Sequence, residues 1–495
     1  LLTAIWLGRL KMHSAIVSEG EIEWVIGDER CGRVRRSTSH IRYDVELPVG
    51  NELTEYILEV ERLLGNTKKW TIQRRYTQFS EVSKRLEKFG IELGLPPKKV
   101  IGNTKEQFIA QRKDALQKFL DVICSHSLFY SSPVVVAFFG ILPGTSIAFD
   151  EWILLSVRGK SQWALGEKQV NCGWRAGKAL YELKCGRNCL TLSAIRYGPD
   201  RCGSVEGINE ALDFIRSLEY PYVSECVASW ADEKGIIAVR PAFNNGTLRD
   251  HLYKSNWRDE FFVKYCVERS VLSLEAIDVR FICRQVLEAL SLFCALSIPF
   301  VDVHAGNVSI SDCGCEVIDV EQVLAGQPSF HRPYMLKASW VNTIEDMMVF
   351  AFGEFLFELL TGFFSFPMNS VSEGLALVPS VFQPILKSIF APDRRVMPTL
   401  IELISSDLFV DIPVAKMNRR EIRMPTTVKQ LLDGLCESIR QRLHSDRAQH
   451  NRIQKEEKMR RLILSEGEKL RRKQIMKCEQ MKFSKPNTEE RNASQ

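Results

Sequence analysis

Two apolar stretches at helical spacing, FICRQVLEALSLF (residues 281–293) and MMVFAFGEFLFELL (347–360), constrain this chain more than any other feature. Helices of that apolar density are stable only inside a packed helical layer, so a large core must surround them. The chain of 495 residues has room for it, since roughly 150 residues per domain predicts about three units. With 45% apolar and 26% charged residues, neither a collagen-like nor a wholly disordered chain is compatible with the composition. The longest uncharged stretch, 122–149, is interrupted by His126, Pro133 and Pro143 and does not read as a membrane-spanning helix.

Upstream, the hydrophobic period changes. From Tyr43 to Gln73 the pattern is strand-like, with YDVEL, TEYILEVERLL and KKWTIQRRY alternating apolar and polar residues around a turn at Gly65-Asn66, which predicts a three-stranded meander. Helical spacing follows over 79–89, stops at Gly94 and Pro96-Pro97, and returns over 105–123. Short strand candidates (LTLSAI, GIIAVRP) flank a helical ALDFIRSLEY between 168 and 240, and helices dominate from 273 to 410. The fold class is therefore α+β multidomain. The expected organisation is an N-terminal extension of poor order (1–39), a compact α+β domain (40–145), a linker (146–167), a two-lobed domain (168–425) and a charged helical tail (426–495). The apolar N-terminal start lacks the basic flank of a signal peptide.

The net charge of +5 conceals an asymmetry. From Arg440 to Lys482 there are 14 Lys and Arg against 6 Asp and Glu, so the tail carries the basicity and the remainder is slightly acidic. Such a helix is either a solvated charged face or a surface for anionic membranes or acidic partners. The 14 cysteines show no dense, regular spacing, which favours reduced thiols in a cytoplasmic chain. Cys172, Cys185, Cys189 and Cys202 lack a CxxC pair and read as buried free thiols rather than a zinc site.

One cluster carries recognisable chemistry: Arg74-Arg75-Tyr76-x-x-Phe79, then Leu95-Pro96-Pro97-Lys98-Lys99, then Arg112 in FIAQRKDALQKFL. A phosphorylated inositol ring needs a guanidinium for its phosphate, cations at its rim and a flat face to lie against, and Arg75, Lys98, Arg112 and Tyr76 are of those types. Residues 40–145 resemble a PX domain, the phosphoinositide-binding module. The resemblance implies Arg75 on the 3-phosphate, Tyr76 beneath the ring, Lys98 on the 1-phosphate, Arg112 on the ring hydroxyls and Phe79 in the core. Val100-Ile101, beyond the Pro-Pro step, would enter the bilayer's interfacial zone.

Val301-Asp302-Val303-His304-Ala305-Gly306-Asn307 and, twelve residues on, Ile318-Asp319-Val320-Glu321 resemble the catalytic loop and magnesium-binding segment of a protein kinase over residues 168–412. The resemblance places Asp302 at the base position and Asn307 and Asp319 at the metal positions. Much of the remaining machinery is missing. Phe300-Val301 replaces His-Arg, His304 stands where a lysine would contact phosphate, and no APE follows. Gly173 and Gly177 only partly echo a glycine-rich loop, and LTLSAI has no lysine, leaving Lys184 as a weak nucleotide-binding candidate. Ala211 occupies the ion-pairing glutamate's place, with Glu210 about 100° away on the helix. Phosphoryl transfer depends on positioning and charge neutralisation, so these losses predict an impaired, pseudokinase domain. No cofactor is required on this reading, and ATP with Mg²⁺ is the optional one.

The order of PX module, degenerate kinase and charged tail, with LPPKKVIGN and PSFHRPYM, resembles the PX domain-containing protein kinase-like family over most of the chain. That resemblance implies an adaptor in membrane trafficking or ion-transporter regulation. The adaptor would be cytoplasmic and peripheral on endosomal or plasma membrane. It would bind phosphatidylinositol 3-phosphate and recruit proteins, but not nucleic acid, through the kinase-like domain and tail. The rival reading is an active or weakly active Ser/Thr kinase targeted by the PX domain.

Overall fold

The computed structural model describes residues 41–46, 55–62, 69–87, 93–96, 112, 115–120, 122–123, 133–139, 146–169, 178–242, 246–256, 258–259, 264, 274–311, 314–363, 366–368, 370–415 and 422–483. Two units result, Leu1–His444 and Ser445–Gln495. The expectations for residues 1–39, Lys98, Val100, Ile101, Cys172, Gly173 and Gly177 lie outside the described residues.

The alternating N-terminal segments form the expected antiparallel sheet β1 (Ile41–Glu46), β2 (Glu55–Arg62) and β3 (Lys69–Arg75), with Glu55 opposite Arg75. Strand β3 passes without a loop into helix α1 (Tyr76–Glu87). Phe79 on α1 is fully buried, its ring 5.9 Å from Tyr56, 6.0 Å from Phe119 and 4.9 Å from Phe138, as its core assignment required. Phe138 belongs to α2 (Pro133–Phe139).

Residues 146–167, expected as a linker, hold structure instead. Helix α3 (Ser146–Arg158) and the first strand of the next sheet occupy them. That sheet is antiparallel in the order β4 (Ala164–Lys168), β5 (Lys178–Cys185), β6 (Asn188–Arg196), β8 (Gly235–Pro241), β7 (Ala228–Ala231). Because successive side chains on a strand point to opposite faces, each face can carry its own core. Leu192, Ala194, Ile237 and Val239 pack with Phe149, Trp152, Ile153 and Val157 of α3. Ile195 and Ile236 fall in the other core, with Ile208, Leu212 and Ile215 of α4 (Val205–Arg216). Helix α3 is pinned by polar contacts as well: Trp152 Nε1 donates to Asp232 (2.6 Å), and Asp150 accepts from Lys168 (2.6 Å) and the Tyr181 hydroxyl (2.7 Å). The segment belongs to the smaller lobe.

The second lobe is helical, built on α5 (Leu248–Leu252), α6 (Ala276–Ala295), α7 (Ile344–Thr361), α8 (Gln383–Phe390) and α9 (Leu400–Ile404). The two apolar stretches are α6 and α7, and every residue from Met347 to Leu359 is buried. Capping boxes at Thr343/Asp346 and Thr399/Glu402 start α7 and α9, satisfying first-turn N–H groups that have no helical partner. Between the lobes, the hairpin β9 (Val308–Ser311) and β10 (Gly314–Val317) leads to Asp319.

The charged tail expected over 426–495 forms helix α10 (Thr426–Phe483), and its first part is packed rather than solvated. Val428, Leu432, Leu435, Ile439 and Leu443 recur on one helical face, and all are buried in the first unit. Leu431 lies against Gly203 and Gly207, where a Cβ would come within 2.8 and 3.1 Å of its methyl group. Of the four cysteines read as buried, Cys189 is exposed and Cys185 and Cys202 are half-buried.

The segment after Asp319 is stitched to the smaller lobe through its backbone. Gly198 N–H donates to Ala325 O (2.7 Å) and Asp200 N–H to Gly326 O (3.0 Å). Gly326 has φ 65°, and a Cβ there would lie 2.0 Å from Arg201 N, so backbone conformation and space both exclude a side chain. Gly326→Ala should cost at least about 2 kcal/mol or abolish folding of this lobe, which denaturant unfolding of the full chain would read. A near-neutral result would contradict the close approach.

His331, buried, places Nε2 2.8 Å from Val303 O, so the neutral ring donates that bond. Burial, opposed by Asp302 and Glu358 and assisted by Arg249, lowers its pKa from 6.5 to about 4. Between those values the unfolded chain binds the extra proton, and native stability falls as pH drops. The loss should reach about 3 kcal/mol, and urea midpoints measured across that window should flatten in His331→Gln.

Candidate functional site

The N-terminal site is built at the β3–α1 junction. Consecutive residues there leave a strand and enter a helix, so Arg74, Arg75 and Tyr76 are sent in different directions. Arg74 is structural: its Nε donates to Phe138 O (2.6 Å) and its guanidinium lies 5.5 Å from the Phe138 ring centre. Arg75 is exposed, with its backbone N–H donating to Gln78 Oε1 (2.8 Å) at the start of α1. The Tyr76 hydroxyl donates to Pro96 O, which ties the Pro-Pro segment to the helix start.

Arg112 is brought to the same place from a distant part of the sequence, its guanidinium 4.6 Å from the Tyr76 ring centre. A cation held over an aromatic face in this way gains roughly 0.5–2 kcal/mol. Arg112 also bonds the Tyr56 hydroxyl, whose pKa burial raises and Arg112 pulls back. The structure thus joins Tyr76, Arg112 and Pro96, with Arg75 at the adjoining strand end. The expected flat surface of Tyr76 carries a guanidinium on one face, a contact that sequence spacing could not show.

In the second site the catalytic-loop residues hold one another. Asn307 Nδ2 donates to Asp302 O (2.8 Å), Asn307 N–H to His304 O (2.8 Å) and Ile318 N–H to Asn307 O (2.9 Å). His304 Nδ1 accepts from Gly306 N–H (3.1 Å), and its Nε2 lies 3.9 Å from Asp302 Oδ1. That same Oδ1, at the base position, accepts the Phe330 N–H (2.8 Å). Beneath the loop, Glu358 of α7 accepts from Ala305 N–H (3.0 Å) and pairs with Arg249 (2.6 Å), both side chains buried. This is a well-satisfied polar framework, and Asp302 is engaged by backbone in it.

Asp319 stands in left-handed backbone, φ 64° and ψ 33°. Its Oδ2 pairs with Lys178 on β5 and its Oδ1 with Arg240 on β8, and Arg240 reaches on to Glu321. Burial works against the charge of Arg240, but Glu321 and Asp319 more than offset it and raise the guanidinium pKa above its usual value. Lys184, the weak nucleotide-binding candidate, is exposed at the other end of β5, six residues or about 20 Å from Lys178. The lysine that meets Asp319 is therefore Lys178, beside Arg240, and the Lys184 expectation is corrected. Glu210 of α4 accepts from Thr427 Oγ1 of α10 (2.7 Å), and Ala211, the expected occupant of the ion-pairing glutamate's place, is buried on the same helix.

Lys178 and Arg240 escaped sequence reasoning. Lys178 directly follows Gly177, and Arg240 is the one charge in GIIAVRP, a strand buried from Gly235 to Arg240. An isolated arginine in an otherwise buried strand was the available signal, since such a charge must find a partner. Among the described residues, no group of three or more His, Cys, Asp or Glu could hold a metal ion, and no helix is long and apolar enough to cross a membrane.

The PX domain family model matches residues 63–141. The PX domain-containing protein kinase-like protein of Mus musculus is 30% identical over 81% of this chain and 70% of its own length. A probable inactive serine/threonine-protein kinase, slob1 of Dictyostelium discoideum, is 27% identical over 39% of this chain and 36% of its own. The Slowpoke-binding protein of Drosophila melanogaster is 29% identical over 47% and 44% respectively. With a PX domain ahead of a kinase-like fold and that extent of similarity to the mouse protein, the chain belongs to the PX domain-containing protein kinase-like family.

Proposed function

We propose that this protein is a peripheral membrane adaptor. Its PX domain reads a phosphoinositide carrying a 3-phosphate on endosomal or plasma membrane, and its kinase-like domain recruits protein partners without transferring phosphate at a useful rate. The observation that carries the reading is the Arg75–Tyr76 junction with Arg112 beside it, inside the segment that matches the PX model. An exposed guanidinium at a strand end, next to an aromatic and a second guanidinium, suits a phosphorylated inositol ring.

Two features support impairment of the second domain. The carboxylate at the base position accepts a backbone N–H from Phe330, and the buried small-lobe cations meet Asp319 rather than a glutamate on α4. Protein recruitment accords with the names of relatives, one called Slowpoke-binding and others probable inactive kinases. The basic stretch from 440 to 482 would add a salt-sensitive, headgroup-unspecific attraction of about 1 kcal/mol per charge near an anionic surface.

The deciding experiment is flotation of the full chain with vesicles containing phosphatidylinositol 3-phosphate. Arg75→Ala should remove headgroup-dependent binding while leaving thermal unfolding unchanged, because the side chain is exposed. Retention equal to wild type would reject the site. In parallel, radiolabel transfer from ATP should be the same for wild type and Asp302→Asn, and transfer lost in that variant would restore the active-kinase reading.

A further inference from the structure

A magnesium ion demands oxygen ligands in near-octahedral array at about 2.0–2.1 Å and keeps several of its waters. A carboxylate that serves it must offer an oxygen to open, wetted space. Asp319 does not. Its side chain is 5% exposed, and each of its oxygens already meets a cation from the five-stranded sheet. The side chain of Asn307, the companion ligand position, donates its Nδ2 to Asp302 O, a bond that engages the amide nitrogen and not the oxygen a metal would take, so the misfit rests on Asp319. The charges of Asp319, Glu321, Lys178 and Arg240 sum to zero before any ion arrives, and a divalent ion would bring that sum to +2. The residues present do not fit the metal that this fold family implies.

We propose that Lys178 and Arg240 take the place of the magnesium ion, so that the kinase-like domain keeps its lobes joined by an internal ion cluster and is indifferent to metal. This deepens the adaptor reading, since it rests on an impaired kinase site but not on lipid binding.

Three further contacts act in the same direction along the segment that follows Asp319. The Gly198–Ala325 and Asp200–Gly326 backbone bonds join it to the loop between β6 and α4, and Gln327 Nε2 donates to Arg196 O (2.7 Å). At its far end Arg332 pairs with Asp200, and Asp200 also meets Arg442 of α10 at 3.3 Å. In switching kinases the corresponding segment moves between ordered and disordered states. Here it is attached at its start, middle and end, and the cation cluster is the part of that attachment which would have to open for a metal. The partners recruited by this domain would meet one constant shape rather than a nucleotide-gated one.

The test uses the full chain with Mg²⁺, Mn²⁺ and ATP as probes. Thermal unfolding of wild type should give the same midpoint in EDTA, in MgCl₂ and in MgCl₂ with ATP. Electron paramagnetic resonance of Mn²⁺, with and without ATP, should show no more ion taken up by wild type than by Asp319→Asn. Lys178→Met, which leaves one Asp319 oxygen without its cation, should lower the midpoint in EDTA. A metal-dependent rise in the wild-type midpoint, or stoichiometric Mn²⁺ uptake by wild type, would overturn the proposal even if Asp319→Asn failed to fold. So would a Lys178→Met variant as stable as wild type. Metal uptake without phosphate transfer would refute this inference alone, whereas transfer lost in Asp302→Asn would refute the impaired-kinase reading beneath it.

Discussion

The kinase-like domain turns on one buried carboxylate. Asp319 lies between Lys178 and Arg240, and Arg240 passes the charge on to Glu321. Removing ions from water is costly, so such a cluster adds little net stability compared with an apolar core. What it imposes is geometry, because each ion left alone would be strongly penalised. Strands β5 and β8 are thereby tied to the segment after β10, and the backbone bonds at Gly198 and Gly326 follow the same line. The remaining polar framework, from Glu358 through Ala305 to Asn307 and Asp302, holds the catalytic-loop geometry while engaging the groups that chemistry would need.

Helices α3 and α10 complete this domain from outside the expected boundaries. Helix α3 gives the five-stranded sheet a second covered face, so successive residues of β6 and β8 are buried on both sides. The start of α10 lies on α4, through Leu431 against Gly203 and Gly207 and through Thr427 on Glu210. In a regulated kinase the helix in the position of α4 shifts to complete or break a Lys–Glu pair. Here Glu210 accepts from Thr427 of α10 instead.

The PX domain works by a different economy. Phe79 and its aromatic neighbours fix α1 against the helices that follow, and Arg74 is spent on Phe138. The adjacent Arg75 lies at the surface. Two neighbouring arginines of identical chemistry thus divide into a structural and an exposed one because a strand end separates their directions. Arg112 sits over Tyr76, so cation and aromatic face arrive already assembled.

Much of this was legible in the amino-acid sequence. The period-two pattern of 43–73 fixed the meander, the density of FICRQVLEALSLF and MMVFAFGEFLFELL fixed the core helices, and RRYxxF with VDVHAGN and IDVE fixed the family resemblance, because local periodicity and short motifs are properties of neighbouring residues. Contacts across long sequence separations were decided only by the tertiary structure. Lys178 meets Asp319 across 141 positions and Arg240 meets it across 79, while Lys184, nearer the expected motif, points to water. Helix α3 was passed over because a helix whose partner is a sheet formed later in the chain looks, by itself, like a connection. Periodicity says which residues must be buried, but the identity of the charge that neutralises a buried carboxylate depends on which strands lie side by side, and that is settled by the packing of the whole sheet.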